Sequence, residues 1–219
     1  MDMSDIWTGL GQIVLILLFG GVLLVLEYLR QKATDWYRYR KLHPIARSVL
    51  ANRKVHTLLV ELRTRTDADR AYIYLFHNGQ VFSNKNPLWR MSCTQETCRQ
   101  GISHEIDHRQ SVLASTVWDG LAPFFGDIKD IGDGCQEINM HKNKVYVFTV
   151  HDMTDSYWKR ALVAHGVKYK IASPIIDHRN EIVGLVAIDF CTEETINKEQ
   201  VAEHMSEASG AIHYALTEE

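Results

Sequence analysis

Apolar residues fill the chain from Ile6 to Leu26, IWTGLGQIVLILLFGGVLLVL, with no charged side chain among them. A helix of roughly 20 apolar residues, rising about 1.5 Å each, spans a hydrocarbon core of about 30 Å, so this run predicts one transmembrane helix. Ile13, Leu17 and Leu24 belong to this anchor, and Gly20 and Gly21 near its middle would allow close helix packing. A cleaved signal peptide is the competing reading. The acidic start, MDMSD, argues against it, because such peptides begin with a basic segment and end in a small-residue cleavage site.

Beyond the run the period changes. Ile45, Val49, Val55, Leu58, Leu59 and Leu62 recur near helical spacing, which predicts a stalk helix over Ile45–Leu62 after a break near Pro44. Asp67-Ala68-Asp69 ends it, and AYIYLF over Ala71–Phe76 is an aromatic and β-branched strand that His77-Asn78-Gly79 should close as a turn. Leu88–Glu96 reads as the next strand. The spacing of Val112, Ala114, Val117 and Leu121 predicts a helix over His108–Trp118, and KVYVFTV over Lys144–Val150 predicts a strand. Asp155 should open a short helix carrying Trp158, Leu162 and Val163, stopped by Gly166. Tyr169–Ile176 and Ile182–Phe190 form two strands around the turn Asp177-His178-Arg179-Asn180. A closing helix over Asn197–Leu216 lines up Val201, Met205, Ala208, Ile212 and Ala215.

Charge fixes the expected orientation. Arg30, Lys32, Arg38, Arg40 and Lys41 all follow the apolar run, and none precedes it, which predicts an outside N-terminus and a cytoplasmic soluble domain on the inner membrane. Trp7 on one side and Tyr28, Trp36 and Tyr37 on the other fit interfacial belts. The organisation is therefore an anchor over residues 1–29, a basic juxtamembrane segment over 30–43 that meets membrane lipids, and one soluble domain over 44–219. A net charge of −3 excludes an electrostatic nucleic-acid binder. The four cysteines form no CxxC pair and the 11 histidines no HExxH, so neither a metal nor a cofactor is expected, and the cysteines suit a reducing compartment.

The order of elements resembles the GAF domain, most clearly in DRAYIYLFHNG and KYKIASPIIDHRNEIVGLVAIDF. The resemblance implies an α+β fold: an antiparallel sheet of about six strands, the terminal helices on one face, and a ligand pocket under loops on the other. It also implies a homo-oligomer built through the terminal helices. The residue signature of cyclic-nucleotide-binding members is not recognisable, nor is a cysteine placed for a bilin or a histidine placed for haem. A second resemblance, to the holins of T-even-type bacteriophages, rests on the anchor, EYLRQKATDWYRYR, DRAYIYLF and GLVAIDFCTEETINKEQVAEHMSEASGAI. It implies a membrane-permeabilising protein regulated through its soluble domain.

Strand ends and connecting loops supply the candidate ligand-binding residues His77, Asn78, Trp89, Glu96, His151, Asp152, Ser173 and Asp189. Tyr72, Tyr74 and Phe76 alternate with Ile73 and Leu75, giving the first strand one aromatic face suited to a planar ligand. Catalysis finds little footing. His151 and Asp152 are adjacent, Ser173 lacks a GxSxG elbow, and His104, Glu105, Asp107 and His108 read as a solvated loop. The expected role is a sensory or regulatory module, not an enzyme, that binds a small molecule or a protein partner.

Overall fold

A computed structural model describes residues 20–37, 44–81, 87–126, 134–140, 143–192 and 196–217. The chain divides into two compact units, parting between Leu50 and Ala51. The first contains helix α1 over residues 20–37, on which Val22, Leu23, Leu24, Val25 and Leu26 are each more than half exposed. Among the described residues no helix is long and apolar enough to cross a membrane. α1 holds only residues 20–26 of the apolar run before Glu27, Arg30, Lys32 and Asp35 make it polar, and Ile13 and Leu17 lie outside the described residues.

Helix α2 (Pro44–Thr66) leads into the second unit, whose seven strands form one antiparallel sheet in the order β3-β2-β1-β7-β6-β5-β4. They are β1 (Arg70–Val81), β2 (Pro87–Cys98), β3 (Val112–Leu113), β4 (Cys135–Asn139), β5 (Lys144–Thr149), β6 (Tyr169–Ile176) and β7 (Ile182–Phe190). Successive strand side chains alternate between faces. Ile73, Val145, Val147, Ile171, Val186 and Ile188 therefore meet Val55, Leu59 and Leu62 of α2 and Met205 and Ile212 of α5 (Lys198–Thr217) in one core. Tyr72, Tyr74, Tyr146, Phe148, Ala172 and Leu185 point the other way. They pack under Val117, Leu121 of α3 (Trp118–Leu121), Phe124, and Trp158 and Leu162 of α4 (Tyr157–Ala164). The expectation of helices on one face holds for α2 and α5, while α3, α4 and several 3-10 turns cover the opposite face.

Four further expectations change. The helix over His108–Trp118 is instead a 3-10 turn (Ile106–Arg109), the two-residue β3 and a second 3-10 turn (Ala114–Val117). Ser111 adopts a left-handed φ of 55°, which breaks any helix there. Nor does the chain turn at His77-Asn78-Gly79. β1 runs on to Val81, and a register shift between Asn78 and Gln80 leaves Gly79 as a bulge. Strand β4 is new, and the cap of α4 is Ser156 rather than Asp155, its hydroxyl accepting from Lys159 N at 3.1 Å. Gly166 ends that helix with a φ of 71°, as a C-terminal glycine does.

Candidate functional site

Strand register builds a buried charged cluster among the described residues of the second unit. Arg70 of β1 and Lys170 of β6 both stand directly opposite Asp189 of β7, so a cation, a carboxylate and a second cation lie in one row on the aromatic face. Asp189 is fully buried, Arg70 is 2 % exposed and Lys170 5 %. Charges this deep persist only when paired. The Tyr72 hydroxyl donates to Asp189 Oδ1 at 2.6 Å and accepts from Lys170 Nζ, which also donates to Asp189 Oδ1 at 3.2 Å.

The 3-10 turn Ile106–Arg109 adds a third cation. Arg109 lies 4.9 Å over the Tyr72 ring, and its Nη1 is 3.8 Å from Asp189 Oδ2. Glu105, on the same turn's flank, approaches Arg70 at 3.8 Å and His165 Nδ1 at 3.0 Å. Arg70 is further held by the Ser103 carbonyl at 3.0 Å. Glu105 thus answers Arg70, and Asp189 alone faces Arg109 and Lys170, which leaves that end of the cluster net positive.

The protonation states follow from these neighbours. Burial alone would raise the Asp189 carboxyl, but Lys170, Arg109, the Tyr72 hydrogen bond and Arg70 together hold it below the usual carboxylate range. Burial drives Lys170 down to about 8 despite Asp189, and Arg109 pushes the same way. The same burial, reinforced by Asp189, lifts the Tyr72 phenol well above its ordinary value, and His165 is lowered by burial against the pull of Glu105.

Beside the cluster lies a cavity of about 100 Å³ lined by Tyr74, Met91, Arg109, Trp158, His165 and Lys170, among others. A second void of about 20 Å³ adjoins it through Tyr74, Met91, Trp158 and Lys170. Ligand sites usually enclose roughly 300–1,000 Å³, so this space takes only a few heavy atoms. A larger open groove of about 1040 Å³ follows α5 past Met140, Ile176, Glu203 and Tyr214 and shares no residue with the cluster. The smaller cavity beside the cluster is the better ligand site because cations and aromatic rings converge on it.

The expected site residues divide sharply. Glu96 and Asp189 are buried on the aromatic face, with Glu96 opposite Tyr72. Ser173 is buried on the other face, where its hydroxyl donates to the Lys144 carbonyl at 3.3 Å. His77 is exposed and 2.9 Å from Ser92 Oγ, and Trp89 is half exposed on β2. His151 and Asp152 are exposed in a 3-10 turn rather than on a strand. Asn78 pairs with Trp89 along the ladder, and its side chain lies outside the described residues. Arg70, Arg109 and Lys170 were not among the candidates. One signal was available for Lys170: the hairpin turn at Asp177–Asn180, with the ends of its two strands, pairs Lys170 with Asp189. All four cysteines are free.

The GAF domain family model matches residues 52–209. The crystal structure of the cyanobacteriochrome receptor PixJ superposes with a TM-score of 0.54 at 12 % identity, covering 77 % of this chain and 97 % of that one. The phycoerythrobilin-bound GAF domain of a cyanobacterial phytochrome gives 0.51 at 16 % identity, covering 84 % and 92 %. The blue-light-absorbing form of the Thermosynechococcus elongatus PixJ GAF domain gives 0.51 at 11 %, covering 78 % and 90 %. At these identities the likeness is one of fold. No curated protein matches the chain. None of the structures named above is a holin, and that resemblance rests on the sequence pattern alone.

Proposed function

This chain belongs to the GAF domain family, and on that premise we propose that it is a membrane-anchored sensory or regulatory module whose ligand is a small anion. The observation that carries the reading is the small cavity faced by Arg109 and Lys170, two cations that share a single carboxylate. Tyr74 and Trp158 on the same wall suit a flat group such as a carboxylate. The role proposed is binding, with Lys170 Nζ held in place for the anion by Tyr72 and Asp189. A bilin of the kind held by one of the structures above does not fit: the cavity is several times too small, and no cysteine lines it.

Anchoring rests on the apolar run Ile6–Leu26 and on the exposed apolar side chains of α1. The basic residues after it favour an outside N-terminus, a cytoplasmic domain and contact with anionic lipid. Self-association through α5 is supported by the open groove along its outer face and by Tyr214, which is 66 % exposed. A ligand that binds two helix arrangements unequally would then shift the population between them.

Titrating phosphate, acetate and pyruvate into the full chain in detergent tests the ligand. At least one should bind, Arg109→Gln should weaken it at least tenfold, and affinity should fall as pH rises through about 8, where Lys170 gives up its proton. Binding that ignores both the substitution and the pH would sink the anion reading. A reporter fused at Glu219 in a bacterial host should fractionate with the membrane and signal from the cytoplasm. A soluble product would remove the anchor, and a periplasmic signal would favour the holin-like alternative.

A further inference from the structure

Glu96 and Cys98 stand two residues apart near the end of β2, so both leave the same face of the sheet. The loop after the strand then brings His104 back to them. His104 Nδ1 is 3.5 Å from Cys98 Sγ and 3.5 Å from Glu96 Oε2, and the three ligand atoms lie within 4.8 Å of one another. Bonds of about 2.0–2.3 Å at tetrahedral angles separate neighbouring donors by roughly 3.3–3.6 Å, so two of the three edges already have the spacing of a metal's first coordination sphere.

Glu96 supplies a separate reason to expect an occupant. Its side chain is 1 % exposed, and Oε2 accepts from Glu105 N at 2.8 Å and Ile106 N at 3.0 Å. Oε1 is buried with no hydrogen-bond partner among the described residues. A cation bound through Oε2, the oxygen that faces His104, would offset the charge this carboxylate carries into a buried position. The side chain of His104 is two-thirds exposed, which gives an ion a way in.

We propose that Glu96, Cys98 and His104 form a binding site for a thiophilic divalent cation of the Zn²⁺ class, with water in a fourth, open position. Thiolate with imidazole and one carboxylate selects Zn²⁺ over Mg²⁺ or Ca²⁺, which take oxygen ligands. On binding, Cys98 releases its S–H proton to solvent, the sulfur lone pair bonds the metal, and an aquo ligand of the ion departs. The ion would tie β2 to the loop 99–106. Through the two N–H groups that Glu96 holds, it would stiffen the turn that carries Arg109.

Co²⁺ alone, added to the full chain in detergent under reducing conditions, reads the site directly and needs no anionic ligand. A thiolate-to-cobalt charge-transfer band is expected, displaced by Zn²⁺, abolished in Cys98→Ser and retained in Cys135→Ser. Because Cys98 is partly buried, the exposed His104→Ala variant supplies a second check and should weaken cobalt binding at least tenfold without changing the circular dichroism. A wild-type chain without the band, a band that survives Cys98→Ser, or undiminished affinity in His104→Ala would each overturn the proposal.

Discussion

Asp189→Asn is expected to lower the unfolding free energy by about 3–5 kcal/mol, the usual effect of removing one partner from a buried ion pair. The substitution keeps the volume and removes the charge. Lys170 at 3.2 Å, Arg109 at 3.8 Å and Arg70 at 3.9 Å then face a neutral amide at a buried position, where solvent screens them poorly. The amide NH₂ would also point a donor toward donors. Urea unfolding of the detergent-solubilised chain measures the effect, and a loss under about 1 kcal/mol would mean that the cluster is far better hydrated than its burial implies. The pH dependence has a definite sign. The folded carboxyl of Asp189 titrates below its unfolded value, so its contribution is full above the ordinary aspartate range near 3.9 and is lost as pH falls through the folded value. The wild type should therefore lose stability on acidification more steeply than Asp189→Asn.

Gly184→Ala should cost about 1–3 kcal/mol although it adds one methyl group. Gly184 of β7 sits opposite Leu75 of β1 and Ile175 of β6 at the middle of the sheet. A Cβ there would press into the Tyr74 carbonyl oxygen and lie 2.8 Å from Leu75 Cδ2. Backbone on the far side cannot swing away, so β1 and β7 must part and lose ladder hydrogen bonds. Gly210→Ala on α5 is the matched control, because nothing lies within 4 Å of its Cβ position and alanine favours a helix by about 0.5–1 kcal/mol. Thermal unfolding should move down for Gly184→Ala and up for Gly210→Ala. A neutral Gly184→Ala would refute the tight approach of the two central strands.

The hairpin β6–β7 and the closing helix were legible in the sequence because their signals are local. Asp177–Asn180 carries turn residues, and Asn180 adopts the left-handed φ of 63° that such a turn needs. The stretch after Arg109 was misread because Val112, Ala114, Val117 and Leu121 do recur at helical intervals. They bury on one side through a strand and turns, a route that periodicity cannot tell from a helix. Asn78-Gly79 misled for the opposite reason, since the pair serves as a bulge inside a long strand. β4, CQEIN, is short and half buried, with too little alternation to stand out. In the candidate site, Asp189 and Glu96 were visible as acids near strand ends. Arg70 was not, because its role depends on β1 lying beside β7, a pairing across more than one hundred residues of chain.

The charged row also bears on how the sheet assembles. A strand that slips by one residue turns all its side chains to the other face. A slip of β7 would carry Asp189 out of reach of its three cations and into the hydrocarbon between the sheet and helices α2 and α5, where Val186 and Ile188 now sit. Apolar residues occupy both faces of β7, so hydrophobic burial by itself discriminates poorly between the two registers. Arg70, Asp189 and Lys170 act as a key that only one alignment of the three central strands accepts, and misaligned folding intermediates should dissolve rather than accumulate.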